Sequence, residues 1–256
     1  MLNKTSADIK VSVIMPLYNA EKYVSRSIES VLNQQHTNFE LIIVNDFSTD
    51  NSLKIINKFV DERIVILNNA SNLGVAKTRN LGIKKSSGDF IAFLDSDDEW
   101  EISKLTIQLE FMKKSECPFT YTNYNVIDAS NRIVDSKIKI PKKLTFKKLL
   151  YGNSIGCLTV MVDAKFKDYI NFKQIGHEDY LAWLKLIKKT TIAYGIDEKL
   201  ALYRVHNSSI SKNKIKAAKW TFNIYKNELK FGFLKTMYYF TIYALKSLLK
   251  ILRRKM

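Results

Sequence analysis

The chain has 256 residues, 46% of them hydrophobic and 26% charged, which suits one large globular domain, or one domain with an appendage. Its two cysteines, Cys117 and Cys157, exclude a disulfide framework and a cysteine zinc site; with polar residues 1 to 10 and no apolar leader, they point to a reducing cytoplasm. The net charge is +16, but Ser211 to Met256 hold twelve Lys or Arg against one acid, Glu228, so +11 belongs to the carboxy-terminal tail, which argues against a uniformly basic nucleic-acid-binding surface.

Val11 to Met15 is a β-rich run closed by Pro16. Glu21 to Asn33 places Val24, Ile28, Val31 and Leu32 on one helical face. Leu41 to Val44 is a second apolar run, Asn51 to Val60 a helix, Arg63 to Leu67 a third run, Val75 to Lys85 a helix, and Phe90 to Leu94 a fourth strand. Strands that are apolar on both faces and alternate with helices imply a parallel sheet packed on both sides, with ligands at the carboxyl ends of its strands. Beyond it, the pattern predicts a helix over 101–114, a strand from Phe119 to Val126 with a hairpin partner at Arg132 to Asp135, and a short helix from Thr145 to Tyr151. Strands at Leu158 to Val162 and Thr191 to Tyr194 flank a helix from His177 to Lys188 that follows Gly176. A soft boundary falls near Ser211.

Polar residues gather at three strand tips: Pro16-Leu17-Tyr18-Asn19, Asn45-Asp46-Phe47-Ser48 and Asp95-Ser96-Asp97. Asp95, Asp97 and Asp98 put three carboxylates within four positions. Such acids repel one another unless they are solvated as an ordinary acidic turn or share a cation. A hard divalent ion, Mg²⁺ or Mn²⁺, prefers carboxylate oxygen and commonly holds phosphates.

The stretches VSVIMPLYNAEKYVSRSIESVLNQQ, FELIIVNDFSTDNS, NLGVAKTRNLGIKKSSGDFIAFLDSDD and GHEDYLAWLKL together resemble glycosyltransferase family 2, over about residues 10 to 206. The resemblance implies an inverting, metal-dependent enzyme of the GT-A fold: an α/β domain, Rossmann-like, with a mixed, mainly parallel sheet flanked by helices. Residues 1–211 would form the catalytic domain, with nucleotide-sugar binding over about 10–100 and the acceptor and base part over about 101–211. By that resemblance, Pro16, Tyr18 and Asn19 hold the nucleotide, Asp46 accepts the uracil imide N–H, and Ser48 follows in the same loop. Arg79 reaches the base or phosphates. Asp95 and Ser96 contact the nucleotide-sugar, and Asp97 ligates the metal together with Asp95. Asp98 is more structural. Glu178 and Asp179 match the pair supplying the general base, with Asp179 as the base itself. The segment from Tyr203 to Ser211 resembles one that closes many of these domains, so Arg204 is expected near the diphosphate and His206 near the metal. The implied donor is a UDP-sugar carrying a hexose or N-acetylhexosamine. The implied acceptor is a glycan, lipid-linked, in bacterial surface polysaccharide synthesis such as O-antigen, capsule or lipooligosaccharide.

A sugar-nucleotide pyrophosphorylase is the alternative of similar layout, but such enzymes open with a Gly-rich phosphate loop, and Pro16 to Ala20 contains no glycine. The tail, 212–256, mixes apolar, aromatic and cationic residues, and its longest uncharged run, Thr236 to Leu245, is too short to span a bilayer. It reads as one or two amphipathic helices on an anionic inner-membrane surface. Lys235, Lys246, Lys250 and Arg254 lie near one face, and Tyr238, Tyr239 and Tyr243 suit headgroup depth. The competing reading is a tail packed on the catalytic domain or on a second subunit. No nucleic-acid partner is expected.

Overall fold

The computed structural model describes residues 5, 7–206 and 214–255. The boundary expected near Ser211, and Asn207 to Ser211 of the closing segment, lie outside the described residues.

The amino-terminal half alternates as its apolar runs require: β1 (Val11–Leu17), α1 (Val24–Leu32), β2 (Phe39–Asn45), α2 (Ser52–Ile56), β3 (Ile64–Asn68), α3 (Val75–Lys85) and β4 (Phe90–Phe93). Every residue of β1, β2 and β4 is buried, as strands covered on both faces must be. Then follow β5 (Glu99–Trp100), α4 (Lys104–Ser115), β6 (Phe119–Ile127), β7 (Ile133–Asp135), β8 (Lys143–Thr145), α5 (Phe146–Leu149) and β9 (Met161–Asp163). The last elements are α6 (Glu178–Thr190), β10 (Ile192–Arg204), α7 (Lys214–Asn223), a π turn over Ile224–Glu228, and α8 (Phe233–Lys255).

The strands join one mixed sheet in the order β3-β2-β1-β4-β9-β6-β10-β5, with β7 on β6 and β8 on β10. Strands β1 to β4 pair in parallel, whereas β9 runs antiparallel to both β4 and β6. Leu17 is level with Asn45, so the polar tips of β1 and β2 emerge side by side. One core face packs α3 and α6 around Ile14, Val44, Phe93 and Trp183; the other packs α1 and α4 around Val13, Met15, Ile28 and Leu105. Gly82 lets α3 sit close on β1, since a Cβ there would come within 2.6 Å of the Ile14 side chain.

Several boundaries differ from expectation for local reasons. The helix expected from Glu21 begins at Val24, because Tyr23 and Val24 donate to the Ala20 carbonyl in a preceding turn. The strand expected from Leu158 opens instead as a 3-10 turn, Cys157–Thr159, before β9. β10 runs far beyond Tyr194, and irregular register around Lys199 hides its alternation.

The carboxy-terminal helices share the core of the sheet domain. Ile224, Tyr225 and Tyr239 are buried in the same cluster as Tyr180 and Trp183. The Tyr180 and Tyr225 hydroxyls lie 2.9 Å apart, with the Leu149 and Leu150 carbonyls as acceptors at 2.9 and 2.6 Å. The inner face of the tail therefore packs on the α/β domain. Tyr239 points inward, Tyr243 lies against Gly152, and Tyr238 is exposed. Side chains from Lys250 onward are outside the described residues.

Candidate active site

At the tips of β1 and β2, short polar bonds tie two loops together. The Asn19 amide donates to Ser48 Oγ at 3.1 Å, and the Thr49 amide donates to Asn19 Oδ1 at 2.8 Å. Asn19 and Phe47 both adopt left-handed backbone, φ 48° and 61°, which is costly for an aromatic residue unless the surroundings enforce it. Tyr18 and Phe47 are each 50% exposed, so two aromatic rings stand open on this edge. Pro16 is buried inside β1.

Asp46 is only 2% exposed. Its Oδ1 accepts from the Leu73 amide at 2.8 Å and Asn69 Nδ2 at 2.7 Å, and its Oδ2 accepts from the Gly74 amide at 2.8 Å. Burial alone would raise its pKa, but these donors and Thr78 outweigh it and hold the carboxyl below the usual range. Asp46 thus fastens the loop that leads into α3. Gly74, at φ 84°, supplies the turn.

That loop delivers Arg79, which is buried on α3 and links two acidic segments. Nη2 donates to Asp95 Oδ1 at 2.6 Å and Nη1 to Glu178 Oε1 at 2.8 Å, while the guanidinium carbon lies 5.3 Å from the centre of the Phe172 ring. Burial opposes its charge, but Asp95 and Glu178 more than offset this and raise its pKa.

Asp97 Oδ2 lies 2.9 Å from His206 Nε2, and the His206 ring stacks on Tyr23 with centroids 5.5 Å apart. Burial and the neighbouring Asp95 raise the Asp97 pKa despite His206. Asp98 is buried more deeply. One of its oxygens accepts from the Arg204 amide at 2.8 Å, the other has no partner among the described residues, and burial followed by Asp97 and Asp95 raises its pKa strongly. Ser96 is held through its carbonyl, which accepts from Ser27 Oγ at 2.9 Å.

Arg204 is placed differently from its expected position at a diphosphate. It is 1% exposed, and all three guanidinium nitrogens are engaged inside the protein. Nε donates to the Asp97 carbonyl at 2.7 Å, Nη1 to the Asp128 carbonyl at 3.0 Å and to Asn131, and Nη2 to Glu99. It braces the acidic loop from behind.

Asp95, Asp97 and His206 offer oxygen and imidazole donors, and the two carboxylates repel one another, so a hard divalent cation suits the place. Among the described residues no three His, Cys, Asp or Glu form a ready metal cage. What fits is an open site with one or two protein carboxylates, completed by phosphate oxygens.

Glu178 and Asp179 open α6 after the left-handed His177, φ 59°. Asp179 Oδ1 accepts from the Tyr180 amide at 2.7 Å and Oδ2 from Asn153 Nδ2 at 3.1 Å. Burial, reinforced by Glu178, pushes its pKa up to about 7, with Arg79 and the Tyr180 amide pulling the other way. The structure thus joins Asp95, Arg79, Glu178 and Asp179 in one continuous wall and brings His206 to Asp97. Asn153 and Phe172 escaped sequence reasoning. Neither carries a spacing signal, since each matters only through contact with a residue far away in the chain.

The family description "Glycosyl transferase family 2" matches residues 12–165. WfgD of Escherichia coli, a UDP-Glc:α-D-GlcNAc-diphosphoundecaprenol β-1,3-glucosyltransferase, is 43% identical over 83% of this chain and 83% of its own. The chain belongs to glycosyltransferase family 2. This family 2 enzyme is also 41% identical, over 94% of its length and 96% of the relative's, to TuaG of Bacillus subtilis, a glycosyltransferase assigned to teichuronic acid biosynthesis. Its fold is that of S. aureus TarS 1-349 solved with UDP-GlcNAc, with TM-score 0.72 and 23% identity over 92% of this chain and 71% of that one. Membership sets aside the pyrophosphorylase alternative.

Proposed function

We propose that this family 2 transferase is inverting and metal-dependent, and moves a hexose or N-acetylhexosamine from a UDP-sugar to a lipid-linked glycan in bacterial surface polysaccharide synthesis. The observation that carries the reading is the wall in which Asp179, with its pKa pushed up to about 7, is tied through Glu178 and Arg79 to Asp95. A general base is most effective with a pKa near the working pH. In this reading Asp179 removes the acceptor hydroxyl proton as that oxygen bonds to the anomeric carbon, and the bond from that carbon to the UDP oxygen breaks on the opposite side. Glu178 holds the geometry of the wall. Asp97, with Asp95 and His206, would hold a Mg²⁺ or Mn²⁺ that neutralises charge on the departing diphosphate. Tyr18, Asn19, Phe47 and Ser48 frame the nucleoside end, and Asp46 secures the loop beneath it.

WfgD acts on a UDP-sugar and a diphosphoundecaprenol-linked sugar, which supports the same substrate classes here. The outer face of α8 supports a membrane-surface location on the cytoplasmic side. Leu234, Met237, Tyr238, Leu245, Leu248 and Leu249 recur at helical spacing and are all exposed. No helix among the described residues is long and apolar enough to cross a membrane. Lys235 and Lys246 flank the stripe, and each basic group at an anionic leaflet contributes on the order of 1 kcal/mol.

The test is UDP release from a panel of UDP-sugars with a lipid-diphosphate-linked monosaccharide acceptor, and determination of the product's anomeric configuration. Transfer with inversion supports the reading; retention of configuration, or no transfer from any UDP-sugar, overturns it.

A further inference from the structure

We propose that Trp220 and Tyr225, in the carboxy-terminal helices, are positioning residues for the general base, Trp220 clamping the 171–177 loop and Tyr225 the first turn of α6, so that α6 begins with Glu178 and Asp179 in register with Arg79. The proposal rests on the role given to Asp179 above, and goes beyond it by making the tail part of the catalytic wall.

The loop is pinned from two sides. On the donor side, the Phe172 amide donates to Asn80 Oδ1 at 2.9 Å, and Asn80 Nδ2 donates to the Phe172 carbonyl at 2.7 Å. On the tail side there are three contacts. The Trp220 ring meets the His177 ring edge-on, with centroids 5.2 Å apart, and fills the space above Gly176, where a Cβ would lie 1.9 Å from a ring carbon. Only glycine fits under that indole. Lys173 pairs with Glu228 at 2.7 Å. Within the first turn of α6, the Tyr180 hydroxyl meets that of Tyr225 at 2.9 Å. The turn so held is the strained one: His177 takes φ 59°, a conformation that persists only when its surroundings enforce it. The tail is itself braced, with Phe222 packed edge-on against Phe240 at 5.4 Å, joining α7 to α8. Releasing this clamp lets the turn relax and the base drift, while the nucleotide end, held by Asn19, Asp46 and Ser48, stays in place.

The experiment compares the full-length chain with Trp220→Ala, Trp220→Phe and Tyr225→Phe. It measures kcat and donor KM by UDP release, UDP affinity by calorimetry, and amide hydrogen exchange. Because small misplacements at a reacting centre are expensive, we expect Trp220→Ala to lower kcat by about ten- to a hundredfold. UDP affinity should change less than about twofold, since a lost positioning contact acts on turnover rather than on ground-state binding. Trp220→Phe should restore most of the rate, and Tyr225→Phe should show the same split in milder form. In Trp220→Ala, amides of residues 171–180 should exchange faster while those of β2 do not. Unchanged exchange in that loop, or wild-type kcat in Trp220→Ala, overturns the proposal. So does equal loss of UDP affinity and kcat, which would signify general damage. A wild-type chain that shows no transfer overturns the function proposed above and this inference with it, whereas transfer by wild type with unchanged kcat in Trp220→Ala overturns this inference alone.

Discussion

The carboxylate of Glu178 and the guanidinium of Arg79 meet at 2.8 Å across 99 residues of chain. Because the same guanidinium also holds Asp95, a single buried cation joins the strand tip that carries the acidic motif to the helix that opens with Glu178 and Asp179. Removing one partner of a buried ion pair costs about 3–5 kcal/mol, because the remaining charges are left uncompensated. Arg79→Ala should therefore shift the urea unfolding midpoint down sharply and abolish turnover. Arg79→Lys should fold but lose most activity, since an ammonium cannot span both carboxylates as a planar fork does. A lysine variant with full activity would show that the link is not needed.

Asp179 yields a prediction in which activity and stability diverge. Its pKa is about 7 in the folded chain and near 3.8 when unfolded, so between those values the native state binds more protons and stability falls as pH rises. Asp179→Asn removes that ionisation cost. It should melt higher than wild type above pH 7, match it near pH 4, and lose at least about a hundredfold in kcat, in line with typical general-base contributions. The wild-type kcat should fall on the acid side with a midpoint near 7. Flat activity down to pH 5 would remove Asp179 as the base.

Much of this arrangement was visible in the sequence because it rests on local pattern. Continuous apolar runs place β1, β2 and β4 and their polar tips, and the helical stretch Val75 to Lys85 coincides with α3. Contacts made at long range were not visible. The resemblance of the Tyr203 to Ser211 segment implies a diphosphate near Arg204, yet its side chain is spent on Asp97, Asp128, Asn131 and Glu99, of which Asp128 lies 76 residues away. β5 has only two residues and exists because β10 offers it an edge. The tail showed its charge in the sequence, but the inward turn of Tyr225 and Tyr239 depends on a core assembled from the rest of the chain.

The acidic centre predicts a specific dependence on divalent ions. Chelation with EDTA should remove most activity, and Mn²⁺ or Mg²⁺ should restore it, because a bound cation offsets charge on the leaving diphosphate by several kcal/mol. Asp97→Asn should lower kcat by at least about tenfold at saturating metal, with the fold intact, since that carboxylate is partly exposed and its loss relieves repulsion from Asp95. Full turnover in EDTA would dismiss the metal.

The outer stripe of α8 predicts binding to anionic membranes. Deleting the tail is a poor test, because it would remove Ile224, Tyr225 and Tyr239 from the core. Point changes on the exposed side avoid this: Leu245 and Leu248 are 57% and 54% exposed. Leu245→Glu with Leu248→Glu should leave the melting temperature within a few degrees of wild type, because exposed positions away from packed contacts change stability by only about 0.5 kcal/mol. The same pair should sharply reduce co-sedimentation with phosphatidylglycerol vesicles, since it replaces apolar insertion with repulsion. Wild-type binding should weaken with added salt and be weak on neutral phosphatidylcholine, as the lysine contribution requires. Turnover on a short water-soluble acceptor should be unaffected, while turnover on a vesicle-embedded lipid-linked acceptor drops. Equal vesicle binding by the double variant and wild type would show that this face of α8 does not meet the membrane.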